Sequence, residues 1–238
     1  MQSTLRRAPR AQLCSFLCRS LQWLSVPHSS AYYYRRDVVG RCPRTEEQHQ
    51  RPPRLFGALV KAVSHQTTTG SPLTPGNPFV ETSAVVTPHI TVSKSPQEQI
   101  YGLGLVLTTL PGTLGAIGTN GRDLGSNTPV AARFANGNRV WYHNGSMAGG
   151  FSSVHVLPDE EIAIVVLSNT LALTDVADFV GQMLIEAVSG EPNPNDYVSP
   201  AKQAAETHLK RYPEMRALMA KDQKQGTPCR PLEQYVGR

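Results

Sequence analysis

The sequence predicts an α+β domain in which amphipathic helices pack against an antiparallel sheet. Short apolar runs follow one another between residues 101 and 170, and turn residues separate them. Strands joined by such short connections pair antiparallel, because a parallel pair needs a crossover of about a dozen residues or more. After residue 172 the apolar period changes from that of a strand to that of a helix.

Four segments predict the strands of this sheet. YGLGLVLTTL (101–110) has the character of a buried strand that ends at a Pro-Gly pair, and RVWYH (139–143) is rich in residues that favour strands. FSSVHVLP (151–158) alternates between apolar and polar residues. EEIAIVVLSNT (160–170) is an apolar run that follows a Pro-Asp turn, so the last two segments should form a hairpin.

The segment 173–190 predicts an amphipathic helix. Thr174 is expected to cap its N-terminus, Asp175 and Asp178 suit the positive end of the helix dipole, and Gly190 suits the stop. The apolar stripe of this helix consists of Val176, Phe179, Val180, Met183, Leu184, Ala187 and Val188.

Three further segments complete the local predictions. A short helix is expected over 56–63, and TTTGSPLTPGNP (67–78) has the turn chemistry of a loop. PAKQAAETHLKR (200–211) predicts a second C-terminal helix that can run on to Lys221.

The positive charge is concentrated at the N-terminus. Residues 1–55 hold ten Arg, no Lys and three acids, so this segment carries +7 of a chain whose net charge is +5, and the remainder carries −2. The main body therefore has no basic surface of the kind that binds nucleic acid. Attachment to nucleic acid or membrane through the Arg-rich segment is an alternative that deletion of residues 1–55 would test.

Residues 1–36 contain several Arg and Ser and no acid, which resembles the composition of a mitochondrial transit peptide. An unstructured tail is the alternative, and the expected location is cytoplasmic, with the mitochondrion as the second possibility. No window reaches the roughly 18 apolar residues that a membrane span needs. Cys14 and Cys18 are not followed by a second Cys/His pair at zinc spacing, so we expect free thiols and no metal.

Several stretches resemble the C-terminal part of the serine β-lactamase-like superfamily, which includes penicillin-binding DD-peptidases, class C β-lactamases, esterases and acyltransferases. They are YGLGLVL (101–107), WYHNGSMAGGFSSVHVLPDEEIAIVVLSNT (141–170) and the amphipathic helix that follows. The fungal β-lactamase-related branch is resembled most by PGTLGAIGTN (111–120), LALTDVADFVGQMLIEAV (171–188) and PLEQYVG (231–237). The resemblance implies an incomplete β-lactamase/transpeptidase-like fold over roughly residues 85–238.

This resemblance and the composition together divide the chain into four parts. Residues 1–55 are expected to be an Arg-rich segment that is disordered or unrelated to the rest, and residues 56–84 a linker and loop. Residues 85–222 correspond to the C-terminal part of a β-lactamase-related domain, and residues 223–238 to the start of a truncated β domain.

The resemblance also assigns a candidate site to residues 143–146. The superfamily has Lys-Thr-Gly or His-x-Gly on the strand beside its active site, and His143-Asn144-Gly145 occupies that place here, followed by Ser146. By this carry-over His143 steadies the substrate electrostatically. Gly145 lets the substrate approach the strand, and the Ser146 N–H helps to form an oxyanion hole.

The nucleophile of the superfamily, the serine of Ser-x-x-Lys, has no counterpart in the expected order. The only match is Ser199-Pro-Ala-Lys202, which follows the His-Asn-Gly strand, and Ser199 before Pro200 is better explained as a helix cap. Tyr142-His143-Asn144 fits the Tyr-x-Asn signature by spacing but overlaps the third motif, and neighbouring strand residues point to opposite faces.

A triad drawn from Ser152 or Ser153 with His155 and Asp159 would lie within one short hairpin, and no nucleophile elbow accompanies it. The interpretation is therefore a β-lactamase-related serine hydrolase or acyltransferase that lacks Ser-x-x-Lys and is inactive alone. The alternative is a non-catalytic binding or partner protein. The expected ligand is a small ester, amide or lactam, no cofactor is implied, and an exposed sheet edge favours self-association.

Overall fold

The computed structural model describes residues 29–35, 38–41, 51–94, 97–147, 150–170, 172–223 and 231–235. Its main sheet contains β1 (Ser29–Arg35), β2 (Val38–Arg41), β3 (Ile90–Ser93), β4 (Gln99–Tyr101), β5 (Val106–Thr109), β8 (Arg139–Met147), β9 (Gly150–Leu157) and β10 (Ile162–Ser168). The strand order is β2-β1-β10-β9-β8-β5-β4-β3, and every neighbouring pair is antiparallel. Two short strands, β6 (Gly112–Thr113) and β7 (Val130–Ala131), form a separate antiparallel pair.

Helices lie on both faces of this sheet, which confirms the predicted α+β class. They are α1 (Arg51–Thr69), the single turn α2 (Thr82–Val85), α3 (Thr119–Leu124), α4 (Val176–Ser189) and α5 (Val198–Asp222). The α1 and α4 helices both pack against β10, and α5 packs against α3. Short 3-10 turns follow at Gly125–Asn127, Pro158–Glu160 and Leu232–Gln234.

The central strand β10 is apolar along its length because both of its faces are covered. Ile164 and Val166 belong to the larger core, which α4 completes, whereas Ala163 belongs to a second core under α1. Strand residues alternate between faces, so a strand covered on both sides needs apolar residues at successive positions. That requirement explains the unbroken run IAIVVLS.

The residues of the predicted apolar stripe of α4 pack into two different clusters of the core. Val176, Val180 and Leu184 pack into the core beneath the sheet. Phe179 instead lies in a third cluster with residues of α5, and Met183 packs against that cluster. The α4 helix is therefore enclosed between the sheet and α5, and its polar residues are buried together with its apolar ones.

The structure differs from the sequence predictions at two apolar segments. Residues 101–110 form a turn and two strand pieces rather than one strand, because the chain reverses over 102–105 with Gly104 at a φ of 86°. The Gly102 N–H donates to the Leu105 carbonyl across this turn. The helix predicted over 56–63 is present but longer, since α1 continues to Thr69.

The N-terminal segment also differs from the expectation of disorder. Within 1–55, residues 29–35 pair with β10, residues 38–41 pair with β1, and α1 begins at Arg51. Residues 1–28 and 42–50 lie outside the described part of the chain. The four-part division of the chain stays a prediction, and of its last part only 231–235 follow the end of α5 among the described residues.

Aspartates, rather than the predicted Thr174 and Ser199, cap the two long C-terminal helices. The Asp175 Oδ1 accepts from the Asp178 N–H at 3.0 Å, so Asp175 is the N-cap of α4. The Asp196 Oδ1 accepts from the Val198 N–H at 2.8 Å at the start of α5. Gly190 ends α4 in the left-handed conformation, as predicted.

Two substitutions at the start of α5 distinguish Asp196 from Ser199 as the cap of this helix. We expect Asp196→Ala to lower the free energy of unfolding by about 0.5–2 kcal/mol, because it removes the acceptor of the first-turn N–H groups. Ser199→Ala loses only an exposed hydroxyl that donates to Asp196, and its cost should stay below about 0.5 kcal/mol. Urea unfolding of both variants measures the difference, and a larger cost for Ser199→Ala would restore Ser199 as the cap.

The last strand of the sheet, β3, is an exposed edge. Ile90 is 66% exposed, and the pairing of β3 with β4 shifts in register between Thr91 and Ser93. An open edge of this kind can pair with another strand, although such irregularities reduce that tendency. Self-association through a sheet edge stays a prediction.

Candidate functional site

Among the described residues, the second half of β8 is paired on one side only. The last residue of β8 that β5 pairs with is Tyr142, opposite Val106, whereas the pairing with β9 continues to Met147. Antiparallel strands direct their backbone N–H and C=O groups alternately to the two sides. Over residues 143–147, half of these groups are therefore left open on the β5 side, where an extended ligand could bond to them.

A cleft of about 400 Å³ lies against this part of β8. That volume falls in the range of small-molecule sites. The strand contributes Asn144, Gly145 and Ser146, and α4 contributes its cap Asp175. The remaining wall comes from the segment that leads into α3 and from α3 itself, namely Ala116, Ile117, Gly118, Thr119 and Arg122.

Three of the four predicted site residues line this cleft, and His143 does not. The His143 Nε2 lies 2.9 Å from the Tyr101 hydroxyl oxygen, and the two rings meet edge to face. His143 is half-buried there, and its neighbours Tyr142 and Asn144 both turn towards the α4 side. The structure therefore separates His143 from the cleft wall, and its proposed electrostatic role stays a prediction.

Tyr142 connects the cleft to the core. Its hydroxyl donates to the Gln99 Oε1 at 2.6 Å and accepts from the Ala116 N–H at 3.1 Å. Burial raises the pKa of Tyr142 above its usual range, so the phenol stays neutral. Tyr142 therefore holds the 114–118 segment against β8, and it is not a proton-transfer group of the cleft.

Gly145 is the position on β8 where a side chain does not fit. A Cβ at Gly145 would lie 2.3 Å from the Ser152 Oγ on the neighbouring strand β9. The bare backbone at this point keeps the strand accessible from the cleft. The role that the resemblance gives to Gly145 stays a prediction.

A pair of buried carboxyl groups lies at the cleft: Asp175 lines it, and Asp178 is adjacent to Asp175 on α4. Asp175 and Asp178 are each 1% exposed, and neither forms an ion pair within the described residues. Asp178 accepts from three side-chain amides, those of Asn120 and Asn144 at 3.0 Å and that of Gln182 at 3.1 Å. Asn120 also accepts from the Asp175 N–H at 2.9 Å.

This arrangement raises the pKa of both carboxyl groups of the pair. Burial, and then the negative charge of Asp178, raise the pKa of Asp175 to about 8. Burial also raises the pKa of Asp178, but three amide donors favour its ionised form. Two adjacent buried carboxyl groups do not both ionise readily at neutral pH, so the pair as a unit retains a proton to a higher pH than a free aspartate does.

The sequence alone did not assign these acids to the site. It placed both at the positive end of the helix dipole, where acidic residues are common on helix surfaces. The available signal was their spacing with Gln182, since residues 175, 178 and 182 share one face of a helix. Asn120, the main partner, is 55 residues from Asp175 in sequence and carries no local signal.

The alternative nucleophiles lie away from the cleft. Ser199 is exposed on α5, where its hydroxyl donates to Asp196, and it does not line the cleft. Ser153 donates to the Ala177 carbonyl beneath α4. Asp159 pairs with Arg139 on the hairpin surface. The structure thus assembles no triad from the β9 hairpin.

His155 lies beneath α4 at the one turn where that helix has no side chain. A Cβ at Gly181 would lie 2.2 Å from the His155 Nε2, so the glycine makes room for the ring. The ring is fully buried and stacks on Tyr142, and neither nitrogen forms a hydrogen bond with another described residue. Burial lowers the pKa of His155 to about 3, so the imidazole is neutral.

Metal-binding clusters and membrane-spanning helices are both absent among the described residues. No group of three or more His, Cys, Asp or Glu side chains in that part of the chain is arranged to hold a metal ion. None of the helices there has the length and apolarity that crossing a membrane requires.

No protein-family model matches the sequence, and no curated protein matches it. Solved structures of class C β-lactamases show a distant similarity. One has a TM-score of 0.34 and 13% identity over 60% of this chain and 35% of its own. Another, from Rhodobacter sphaeroides, has a TM-score of 0.33 and 11% identity over 82% of this chain and 52% of its own. The chain thus spans about a third to a half of their length, and likeness at this level concerns the fold at most.

Proposed function

We propose that the chain is a β-lactamase-related protein of the serine hydrolase or acyltransferase type, whose cleft binds a small ester, amide or lactam. One observation carries the proposal: Gly145 and Ser146 form an unpaired strand edge along a cleft of small-molecule size. The resemblance of residues 141–170 and of the helix that follows supports it. The fungal branch is the finer form of this proposal and rests on sequence alone.

The ligand would lie along the free edge of β8. Its carbonyl oxygen would accept from the Ser146 N–H, as the resemblance implies, and Gly145 would leave space for the adjoining bond. Asn144 is committed to Asp178 through its amide nitrogen and therefore fixes the strand against α4. Binding of this kind needs no nucleophile.

We do not propose that this chain alone forms a covalent bond with its ligand. Ser199 and Lys202 provide the sequence's Ser-x-x-Lys, and both are exposed on α5 away from the cleft lining. Because acyl transfer needs a serine hydroxyl beside both its base and the oxyanion site, this pair cannot act there. The same observation favours the second candidate function, a non-catalytic binding or partner protein with this cleft.

Intact-mass spectrometry after exposure to a fluorophosphonate and to penicillin G tests the catalytic part. We expect no covalent adduct on the folded chain, because no serine in the cleft has a base beside it among the described residues. A single adduct that maps to one serine would show a nucleophile and contradict this account.

Calorimetric titration with penicillin G tests the binding part. We expect Gly145→Val to weaken binding at least about tenfold, because the added side chain meets the Ser152 hydroxyl on β9 and displaces the strand backbone to which the ligand bonds. Thr109→Val, an exposed strand substitution on β5, serves as the matched control and should leave the affinity unchanged. Equal affinities of the wild type and Gly145→Val would remove the strand edge from the site.

A further inference from the structure

The C-terminal half of α5 is exposed on all sides within the described part of the chain. In the first half of the helix, Ala201 and Ala204 are buried in the third cluster, whereas every residue from 212 to 223 is exposed. Pro213 lies inside this exposed half and offers no N–H to the Leu209 carbonyl, which weakens the helix there. An exposed helix of about a dozen residues gains little stability from its own hydrogen bonds, so a packing partner would stabilise this segment.

Four apolar side chains lie along the exposed half of α5: Tyr212, Met215, Leu218 and Met219, which together form the α5 stripe. Their exposed fractions run from 50% at Met215 to 69% at Met219. Steps of four, three and four residues lead from His208 through Tyr212 and Met215 to Met219. This alternation is the spacing of a coiled-coil seam, along which two helices pack their apolar residues against each other.

The α5 stripe continues the buried face of the same helix. Ala201, Ala204, His208 and Arg211 precede Met215 at steps of three and four residues, so all of them lie on one side. At the junction between the two halves, the buried Asp123 of α3 contacts Arg211 at 2.6 Å and the His208 Nδ1 at 3.3 Å. These contacts fix the direction in which the α5 stripe faces.

The polar residues around the α5 stripe favour a protein partner over a membrane surface. Lys210, Glu214 and Lys221 lie on the side of the helix away from Met219, so that side carries both signs of charge. A helix that lies on an anionic membrane instead has a polar face rich in Lys and Arg. Asp222 adds a negative charge at the end of the stripe, which an anionic surface would repel.

The size of the α5 stripe matches a weak interface between two copies of this chain. The exposed surface of its four side chains amounts to about 500 Å² per chain, so a symmetric pair would bury about 1,000 Å². An exposed apolar surface of this size on one chain is typical of an interaction site. Interfaces near this lower limit belong to weak, reversible complexes, so we expect a dissociation constant of about 10–100 µM.

We propose that the chain forms a weak symmetric dimer in which the α5 stripes of two copies pack against each other in antiparallel orientation. A parallel pair is excluded because α3 and α4 cover the same side of α5 in its first half, where the second helix would have to lie. When Met215 lies opposite Met219 of the second copy, Tyr212 lies opposite Asp222 of the second copy, which can accept from the phenol. This dimer is independent of the cleft and of the proposed function.

Sedimentation velocity of the full chain between about 5 and 500 µM tests the dimer. We expect the sedimentation coefficient of the wild type to rise with concentration from that of a monomer towards that of a dimer. Met219→Lys should weaken the association at least about tenfold, because it places a charge in both of the symmetric methionine contacts. Ala217→Lys adds the same charge on the opposite side of the exposed half, and as the matched control it should leave the dissociation constant unchanged.

A pair of opposite charges tests the antiparallel orientation. Met215→Glu alone should weaken the dimer as Met219→Lys does. The double variant should associate to within about threefold of the wild type, because each glutamate then lies opposite a lysine of the second copy. In a parallel pair the double variant would place like charges together and stay monomeric.

The inference is overturned if the wild type stays monomeric up to about 500 µM. It is equally overturned if Met219→Lys and Ala217→Lys associate as the wild type does, as they would through the β3 edge. Binding of the chain to vesicles of phosphatidylcholine and phosphatidylserine that Met219→Lys changes, without a dimer, would assign the stripe to lipid instead. A monomeric double variant beside a dimeric wild type would overturn the antiparallel arrangement.

Discussion

Replacing Asn120 with alanine is expected to lower the free energy of unfolding by about 3–5 kcal/mol. The substitution removes the amide donor to Asp178, the donor to the Asp175 carbonyl and the acceptor of the Asp175 N–H. Each of these groups is buried, so none gains water in exchange. A buried carboxylate that loses a donor without a cation nearby is among the most destabilising changes available in this chain.

Urea unfolding at pH 7 measures this loss. The matched control is Asn127→Ala, which removes an exposed asparagine seven residues away and should cost less than about 0.5 kcal/mol. Equal stabilities of the two variants would mean that Asn120 does not hold the acid pair.

Stability is expected to fall by about 2 kcal/mol as the pH rises from 6.5 to 8. The pKa of Asp175 is raised to about 8, above the ordinary value near 3.8, so between these values the folded chain holds a proton that the unfolded chain has lost. This contribution is fully present below the unfolded pKa and is lost as the pH rises through about 8.

The lowered pKa of His155 changes the folding stability in the opposite direction at lower pH. Its pKa is lowered to about 3, so between pH 3 and 6.5 the unfolded chain binds a proton that the folded chain does not. Stability then decreases as the pH falls, while the contribution of Asp175 increases. From pH 4 to 6.5 the two effects oppose each other, and above pH 6.5 only that of Asp175 remains.

Urea unfolding of the wild type and Asp175→Asn at pH 5, 6.5 and 8 separates these contributions. Asp175→Asn should remove the decline between pH 6.5 and 8 and leave the variant the more stable protein at pH 8. It should also steepen the acid-side decline caused by His155, since the opposing contribution of Asp175 is removed. A wild type whose stability rises from pH 6.5 to 8 would contradict the protonated state of Asp175.

The sequence predicted best those elements whose signals lie within one short stretch of the chain. The β9–β10 hairpin follows from alternation and a Pro-Asp turn, and the α4 stripe follows from helical spacing. The segment 101–110 was mistaken for one strand because its apolar residues continue through a glycine turn. The strands at 29–35 and 38–41 were missed because the Arg-rich composition outweighed their β-branched and aromatic residues.

The candidate site was predictable in part for the same reason. Asn144, Gly145 and Ser146 form a contiguous motif and line the cleft together. The orientation of His143 depends on which face of β8 meets α4, and only tertiary packing decides this. Asp175 and Asn120 meet across 55 residues, and Arg122 enters through α3, so their contribution could not be found from sequence spacing.

The central claim is that small acyl compounds bind along the free edge of β8, and amide chemical-shift mapping tests it most directly. Penicillin G is titrated into the isotope-labelled chain while the backbone resonances are followed. We predict that the largest reversible shifts occur at Gly145, Ser146 and residues 116–119, with small shifts along α5. Shifts centred on Ser199 and Lys202, or no shifts on a folded chain, would contradict the claim.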